Sequence, residues 1–496
     1  MSTSVSPHVS AMPKPVSLSL APYVPSDEKP WNSQRVMHVY DRLGYGASWA
    51  EVKQGLTMAP GELIDMLLDQ AANAAQPTPP VWANWTEDDY AADPTLRATH
   101  KSEFIRQWFT ELIQQPVRAK MVMFWRNYFV TENRIADCNN YYWSYFALLH
   151  AMAFGNFQSL AKAVGKDAAM LVYLNGNLNI AGQPNQNYAR ELMELFTMGE
   201  SNGYTQTDIE EMSRALTGWK ANYGKCYAPY FNAAQWDNTP KTIFGQTANY
   251  DFDGAHDAIF QYRADRVAHF IPEKIYKHFV YATADPQIVE SLGQTFAGSN
   301  WELMPMLREL FKSDHFFETE IMAAHIKSPV ETLIPVLRKA GVTDLGYTLT
   351  ENMLNSINYW AYRLGQDILN PPGVAGWPGH RSWINETTLT SRWSYVSTLL
   401  SQIKAIPELR EYLRASLLEM VPVNNDPLMI TDAIILYITG QELEEVHRLA
   451  ALAYLKEGIP ENYFTDGSWN LYWDEAPYQI INCWNYLIRL PEAQLI

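Results

Sequence analysis

A chain of 496 residues with 47% hydrophobic content is too apolar to be disordered, and long enough for one large helical body or two to three ordinary domains. Its net charge of −17 excludes non-specific binding to nucleic acid or anionic lipid, since either needs a basic surface. No run reaches the ~18 consecutive apolar residues of a membrane span. The start carries no charged region followed by an apolar core, so a cytoplasmic location is the default expectation, with export alongside a partner left open.

Residues 1–30 are rich in Ser, Pro and Val without helical period and read as a flexible or surface-lying arm. From there Val36, Val39, Tyr40 and Leu43 recur at helical spacing, and Ser48 with Glu51 forms a capping box for the next helix. Phe104, Trp108, Phe109 and Leu112 mark a longer helix that Pro116 interrupts. Met121, Phe124, Trp125 and Phe129 mark the one Pro116 opens. Asn156 is placed to cap a helix through Leu160 and Val164.

The stretch 185–199 reads as one short helix closed by Gly199, with Tyr188, Leu192, Leu195 and Phe196 on its apolar stripe. Thr205 and Asp208 cap the following helix, on which Glu210 and Arg214 are spaced to pair. The period then vanishes over 220–251, an expected lid or binding loop, with a short strand at 241–245. Helices resume at 255–260, with Asp253 as the expected cap, and at 266–280. Ser299 with Glu302, and Ser328 with Glu331, read as further capping boxes. A second irregular stretch, 369–383, is dense in glycine and proline and predicts a specific loop. The fold class is mainly α, with at most a minor β-hairpin. A helical body over 31–405 would carry a smaller helical appendage over 406–496.

Candidate chemistry concentrates in two places. Arg190, Glu191 and Glu194 sit on adjacent faces of one helix, which makes either an acid/base carboxylate pair or a buried ionic brace. Trp377, His380, Arg381, Trp383 and Asn385 combine aromatic platforms with hydrogen-bonding groups, a mixture suited to sugars or to plugging a helical body. Asn185 and Trp219 flank the first place and complete the candidate substrate-binding set. The stretch 251–257 lacks the ligands of a calcium loop, and His269 and His278 have no acidic partner at metal spacing. Cys138, Cys226 and Cys483 are sparse, odd in number and predict no disulfide framework. No cofactor or metal is expected, and no phosphate loop or nucleophile elbow occurs.

Several segments together resemble the domain-of-unknown-function 1800 family: Phe124-Trp-Arg-Asn-Tyr-Phe129, Gly155-Asn-Phe157, 185–199, Ala215-Leu-Thr-Gly-Trp219, Lys327-Ser-Pro-Val-Glu331, Gly376-Trp-Pro-Gly379 and Trp383-Ile-Asn385. The resemblance covers residues 32–400 and implies a mainly helical bacterial protein without assigned biochemistry. Such proteins are often encoded beside an exported sulfatase-like family, which implies work on the cell surface or its polysaccharides. Members often show a His-Asp pair before the Lys-Thr-x-x-Gly segment, where this chain reads Gln235-Trp-Asp237. Two functions are therefore expected. One is a carboxylate-based hydrolase or binder of a carbohydrate polymer, its cleft roofed by 220–251 and 371–385 near Glu191 and Glu194. The other is a non-catalytic scaffold or chaperone for a sulfatase-like exported partner.

Overall fold

The computed structural model describes residues 18–496. Over these the chain forms 24 α-helices and only two sheets, each of two antiparallel strands, so the fold is mainly α. Among the described residues no helix is long and apolar enough to cross a membrane.

Helix starts follow the capping chemistry written in the sequence. Ser48 with Glu51, Thr205 with Asp208 and Ser328 with Glu331 all close reciprocal capping boxes, and Asn156 accepts from the backbone N–H of Ser159. Three local expectations differ. Ser299–Glu302 is a turn in which Asn300 and Trp301 take positive φ, and Glu302 itself precedes the helix Leu303–Lys312. Asp251, not Asp253, caps the helix Phe252–Tyr262. Arg214 passes over Glu210 and pairs with Glu211 at 2.7 Å and Asp237 at 2.9 Å, because the 232–240 loop folds back over its helix.

The first 17 residues of the expected arm lie outside the described residues. Residues 18–30 are not loose: Pro22 pairs with Ser313, and Tyr23 stacks on Phe317 with ring centroids 4.4 Å apart. Lys29 reaches Asp314 and Glu318 at 3.1 and 2.7 Å. The stretch 220–251 carries both sheets, pairing Trp219–Asn222 with Tyr227–Phe231 and Lys241–Ile243 with Gln246–Ala248. The first hairpin is fastened to the body by a Cys138–Cys226 disulfide, which the spacing of the cysteines did not predict. Helices bring Cα atoms 88 positions apart in sequence to 5.6 Å.

Two helices form the middle of the body. Every residue from Val117 to Arg126 in the helix Pro116–Tyr128 is buried, as is all of Pro329–Lys339 except Thr332. Both therefore bury charges, and the fold meets four of the buried cations with the unpaired carbonyls at the ends of other helices, while Arg126 donates to the loop carbonyls of Thr131 and Leu369. Arg118 donates to carbonyls of Ala74 and His150, where the helices Pro60–Asn73 and Asn139–Met152 end. Lys120 donates to Asp41 O in the last turn of Ser33–Leu43 at 2.7 Å, and Arg338 to Ile113 O in the last turn of Leu96–Gln114. Lys339 donates to Tyr437 O in the last turn of Pro427–Thr439 at 2.6 Å. Each of these four cations thus satisfies an orphan acceptor and the negative end of a helix dipole in one contact.

Asp167 is the converse case. It caps the helix Ala168–Tyr173, accepting from Ala169 N at 2.8 Å, yet burial pushes its carboxyl up to about 7. With the folded pKa raised above the unfolded value, the folded state holds the extra proton between about pH 4 and 7, so this residue costs stability as pH rises through that window. Asp167→Asn keeps a capping oxygen without the charge. It is expected to raise stability by about 2 kcal/mol at pH 8 and to lose that advantage below about pH 4. Urea melts at the two pH values check this, and equal gains at both would sink it.

The chain end returns to the body. Ile496 and His325 exchange both backbone hydrogen bonds at 2.9 Å, and Lys327 N donates to Gln494 O at 2.9 Å. This pairing holds 325–327 beside the start of Pro329–Lys339, where the candidate site lies.

Candidate functional site

A cleft of about 370 Å³ opens between the helices Pro116–Tyr128 and Ala264–Phe279, the start of Pro329–Lys339 and the loop 366–383. A larger cavity, about 760 Å³, lies where Ser33–Leu43 meets Pro427–Thr439 and Glu445–Leu455. That one carries an Asp432–Arg448 ion pair and no buried titratable cluster. The smaller cleft is the better candidate because its walls converge ionisable groups and come from segments far apart in the chain.

Its floor is an ion pair. Lys120 Nζ lies 2.9 Å from Glu331 Oε1, with side chains only 2% and 7% exposed. Glu331 is also the third residue of its helix, and Oε2 accepts from Ser328 N at 2.8 Å. Burial alone would raise its carboxyl, but the Lys120 ammonium foremost, with the Ser328 N–H, holds it well below the usual carboxylate range. Glu331 is consequently fixed as an anion and is a poor proton donor.

Around this pair stand three histidines. Burial pushes His278 down to about 4 and His325 well below the ordinary imidazole value, with the Arg42 charge adding to the latter. His380 is lowered by burial as well. All three are neutral at physiological pH, each able to donate from one ring nitrogen and accept at the other. The rings of His325 and His380 lie 4.8 Å apart. His380 holds φ +49°, a left-handed conformation that a side chain rarely adopts, at the end of the Gly376-Trp-Pro-Gly379 turn. At Gly376, φ is +77° and a Cβ would overlap Asn127, whose Oδ1 accepts from Trp377 N at 2.6 Å. Glycine is required there, and Asn127 pins the loop to the central helix.

The sequence-derived candidates divide between two regions. Trp377, His380 and Trp383 line the cleft. Arg381 and Asn385 are exposed outside it, Asn385 accepting from Thr387 N and Thr388 N as the cap of Glu386–Ala405. Arg190, Glu191 and Glu194 are half-buried and do not line the cleft, although Leu195 does. Arg190 meets Glu194 at 3.3 Å and Gln206 at 3.1 Å. Glu191 is raised by burial first and by the Glu194 charge, with Arg190 opposing. The helix that holds them is shorter than read, Asn187–Glu194. Its end widens because Phe196 N and Met198 N bond five residues back and the Thr197 hydroxyl takes Leu192 O. Asn185 shapes the turn before it, and Trp219 packs between Phe231 and Phe252 with Lys166 Nζ 5.3 Å from its ring. Neither lines the cleft.

Lys120, Lys274, Lys277, His325 and Glu331 are cleft residues that pattern reading missed. Lys120 had a visible signal, a lysine three and four residues from Val117, Met123 and Phe124 on one helix face. Among the described residues, the one cluster tight enough for a metal is Glu87 with Cys138 and Cys226, and the sulfur–sulfur bond leaves no thiolate there.

Fold and cleft together define a large α-helical protein built around a buried lysine–glutamate pair that underlies an open, histidine-lined cleft. The chain belongs to the family described as "Protein of unknown function (DUF1800)", whose profile matches residues 38–495. No curated protein and no solved structure matches it.

Proposed function

We propose that this protein binds, and acts on, a cell-surface carbohydrate polymer through the 370 Å³ cleft. What carries the reading is convergence. The segments 124–129, 327–331, 376–379 and 383–385 are scattered over 260 positions, and each sends side chains into this one cleft. Its mixture of Trp377, His380 and Trp383 on a pinned loop, facing the neutral imidazoles of His278 and His325, suits a hydroxyl-rich guest. In an enzyme of this kind the proton carriers are the histidines, since Glu331 stays ionised and Glu191 and Glu194 face elsewhere. The Cys138–Cys226 disulfide supports work in an oxidising, extracytoplasmic compartment.

The test is His380→Gly, which removes the imidazole and relieves the left-handed backbone, so loss of fold does not confuse it. Affinity for a panel of envelope polysaccharides is expected to fall about tenfold, the value of roughly one good buried hydrogen bond, with the melting temperature unchanged within a few degrees. Full affinity in the variant would sink the cleft assignment. A second reading, a scaffold for a sulfatase-like exported partner, draws on one observation. The 219–231 hairpin exposes Tyr223, Tyr227, Tyr230 and Phe231 together. Co-purification that depends on these tyrosines and not on His380 would favour it.

A further inference from the structure

We infer that the cleft contains a subsite for an oxyanion substituent, a sulfate, phosphate or carboxylate carried by its ligand, built from Lys274, Lys277, His325 and Trp377. The inference rests on the cleft reading above and names the chemical class of the guest.

The first observation is an excess of donors. Trp377 is 5% exposed and its Nε1 has no partner among the described residues, and an indole N–H does nothing but donate. His325 is 8% exposed, and its Nδ1, a donor in the tautomer protonated there, likewise has no partner among the described residues. Both line the cleft. The acceptors beside them are already engaged. Glu331 spends one oxygen on Lys120 and the other on Ser328 N, and Asn127 Oδ1 holds Trp377 N. Buried donors left without acceptors cost free energy unless a guest supplies oxygen.

The second observation is charge. In a chain of net charge −17, the cleft lining holds three ammonium groups, Lys120, Lys274 and Lys277, against the single carboxylate Glu331. Lys120 neutralises Glu331. Lys277 pairs with Glu273 at 2.6 Å, and Lys274 makes no ion pair among the described residues. Three and four residues apart, Lys274, Lys277 and His278 share one face of Ala264–Phe279. Behind the wall, the buried Arg42 adds positive potential that bears on His278, His325 and His380 alike. A neutral sugar meets the hydroxyl-like contacts but leaves this charge unanswered, and an oxyanion meets both.

The test uses the full-length protein with three probes: dextran sulfate, unsubstituted dextran and inorganic sulfate. Dextran sulfate is expected to bind at least tenfold more tightly than dextran, and Lys274→Met to abolish most of that preference while Lys274→Arg keeps it. The methionine preserves the aliphatic stem, and circular dichroism with thermal melting confirms the fold. Equal binding of dextran and dextran sulfate, still weakened by His380→Gly, overturns the anion subsite and leaves the glycan cleft standing. An undiminished preference for dextran sulfate in Lys274→Met overturns it too, by placing the charge recognition elsewhere on the surface. Binding of inorganic sulfate that Lys274→Met removes, with neither polymer bound, upholds the subsite and counts against the polymer. No binding of either sulfate probe overturns the subsite.

Discussion

Replacing Lys120 by methionine is expected to destabilise the protein by roughly 3–5 kcal/mol, because it strands the Glu331 carboxylate in the interior. The same change leaves Asp41 O at the end of Ser33–Leu43 without its donor. The pH dependence reverses as well. In the native protein Glu331 is depressed below its unfolded value, so it contributes stability present above about pH 4.5 and lost as the pH falls through its folded value. Without Lys120, burial dominates and raises the group, so the variant loses stability as the pH rises instead. Adding Glu331→Gln to Lys120→Met removes the uncompensated charge and is expected to recover more than half of the loss. Urea denaturation of the two singles and the double at pH 5 and pH 8 closes the cycle. Strict additivity of the two single losses would show that the charges do not depend on one another, against the 2.9 Å geometry.

That pair also marks how far sequence reading reaches. What depends on neighbours a few residues away was legible: the capping boxes at Ser48, Thr205 and Ser328, the break at Pro116, and the preponderance of helix. These signals act within one turn of chain, where spacing and chemistry suffice. The loop 369–383 was legible as a rigid element because glycine and proline dictate backbone, and Trp377, His380 and Trp383 do line the cleft. The groups opposite them were not. Lys120 meets Glu331 across 211 positions, and nothing local to either residue says that a helix end, Asp41 O, completes the cation's shell. Glu331 was read only as a capping residue, a role it fills with one oxygen while the other holds the lysine. On the Asn187–Glu194 helix, spacing correctly put Arg190 within reach of Glu194. It carried no information about which way that helix faces the cleft, a matter of packing against other helices.

Severing the Cys138–Cys226 bond, by Cys226→Ser or by reductant, is expected to cost up to roughly 4–5 kcal/mol if unfolding is global, given the 88-residue separation it closes. The hairpin it anchors gives reason to expect two steps. Strand Tyr227–Phe231 is largely exposed and Trp219–Asn222 contributes one buried residue, Ala221, so little apolar area holds the hairpin down once the bond is gone. Local ties remain, among them Asn140 Nδ2 to Cys226 O at 2.7 Å, Tyr141 OH to Tyr227 O at 2.7 Å, Glu87 N to Lys225 O at 3.2 Å, Tyr227 OH to Asp88 at 3.0 Å and Lys225 Nζ to Asp88 at 2.8 Å. They are hydrogen bonds and one exposed ion pair, each worth on the order of 1 kcal/mol or less. Reduction should therefore release residues 219–231 first, read as faster amide exchange and new proteolytic cleavage there, before the melting temperature of the helical body falls. Cys138→Ser should behave as Cys226→Ser does, and the double variant no worse than either single. Cys483 is buried, and burial pushes its thiol up to about 12, so it offers no replacement partner. The decisive measurement is thiol counting on denatured protein purified from its native host under acid quench. One reactive thiol per chain confirms the bond and an oxidising location, whereas three would mean that Cys138 and Cys226 meet as free thiols, and the predicted stability loss on reduction would then be absent.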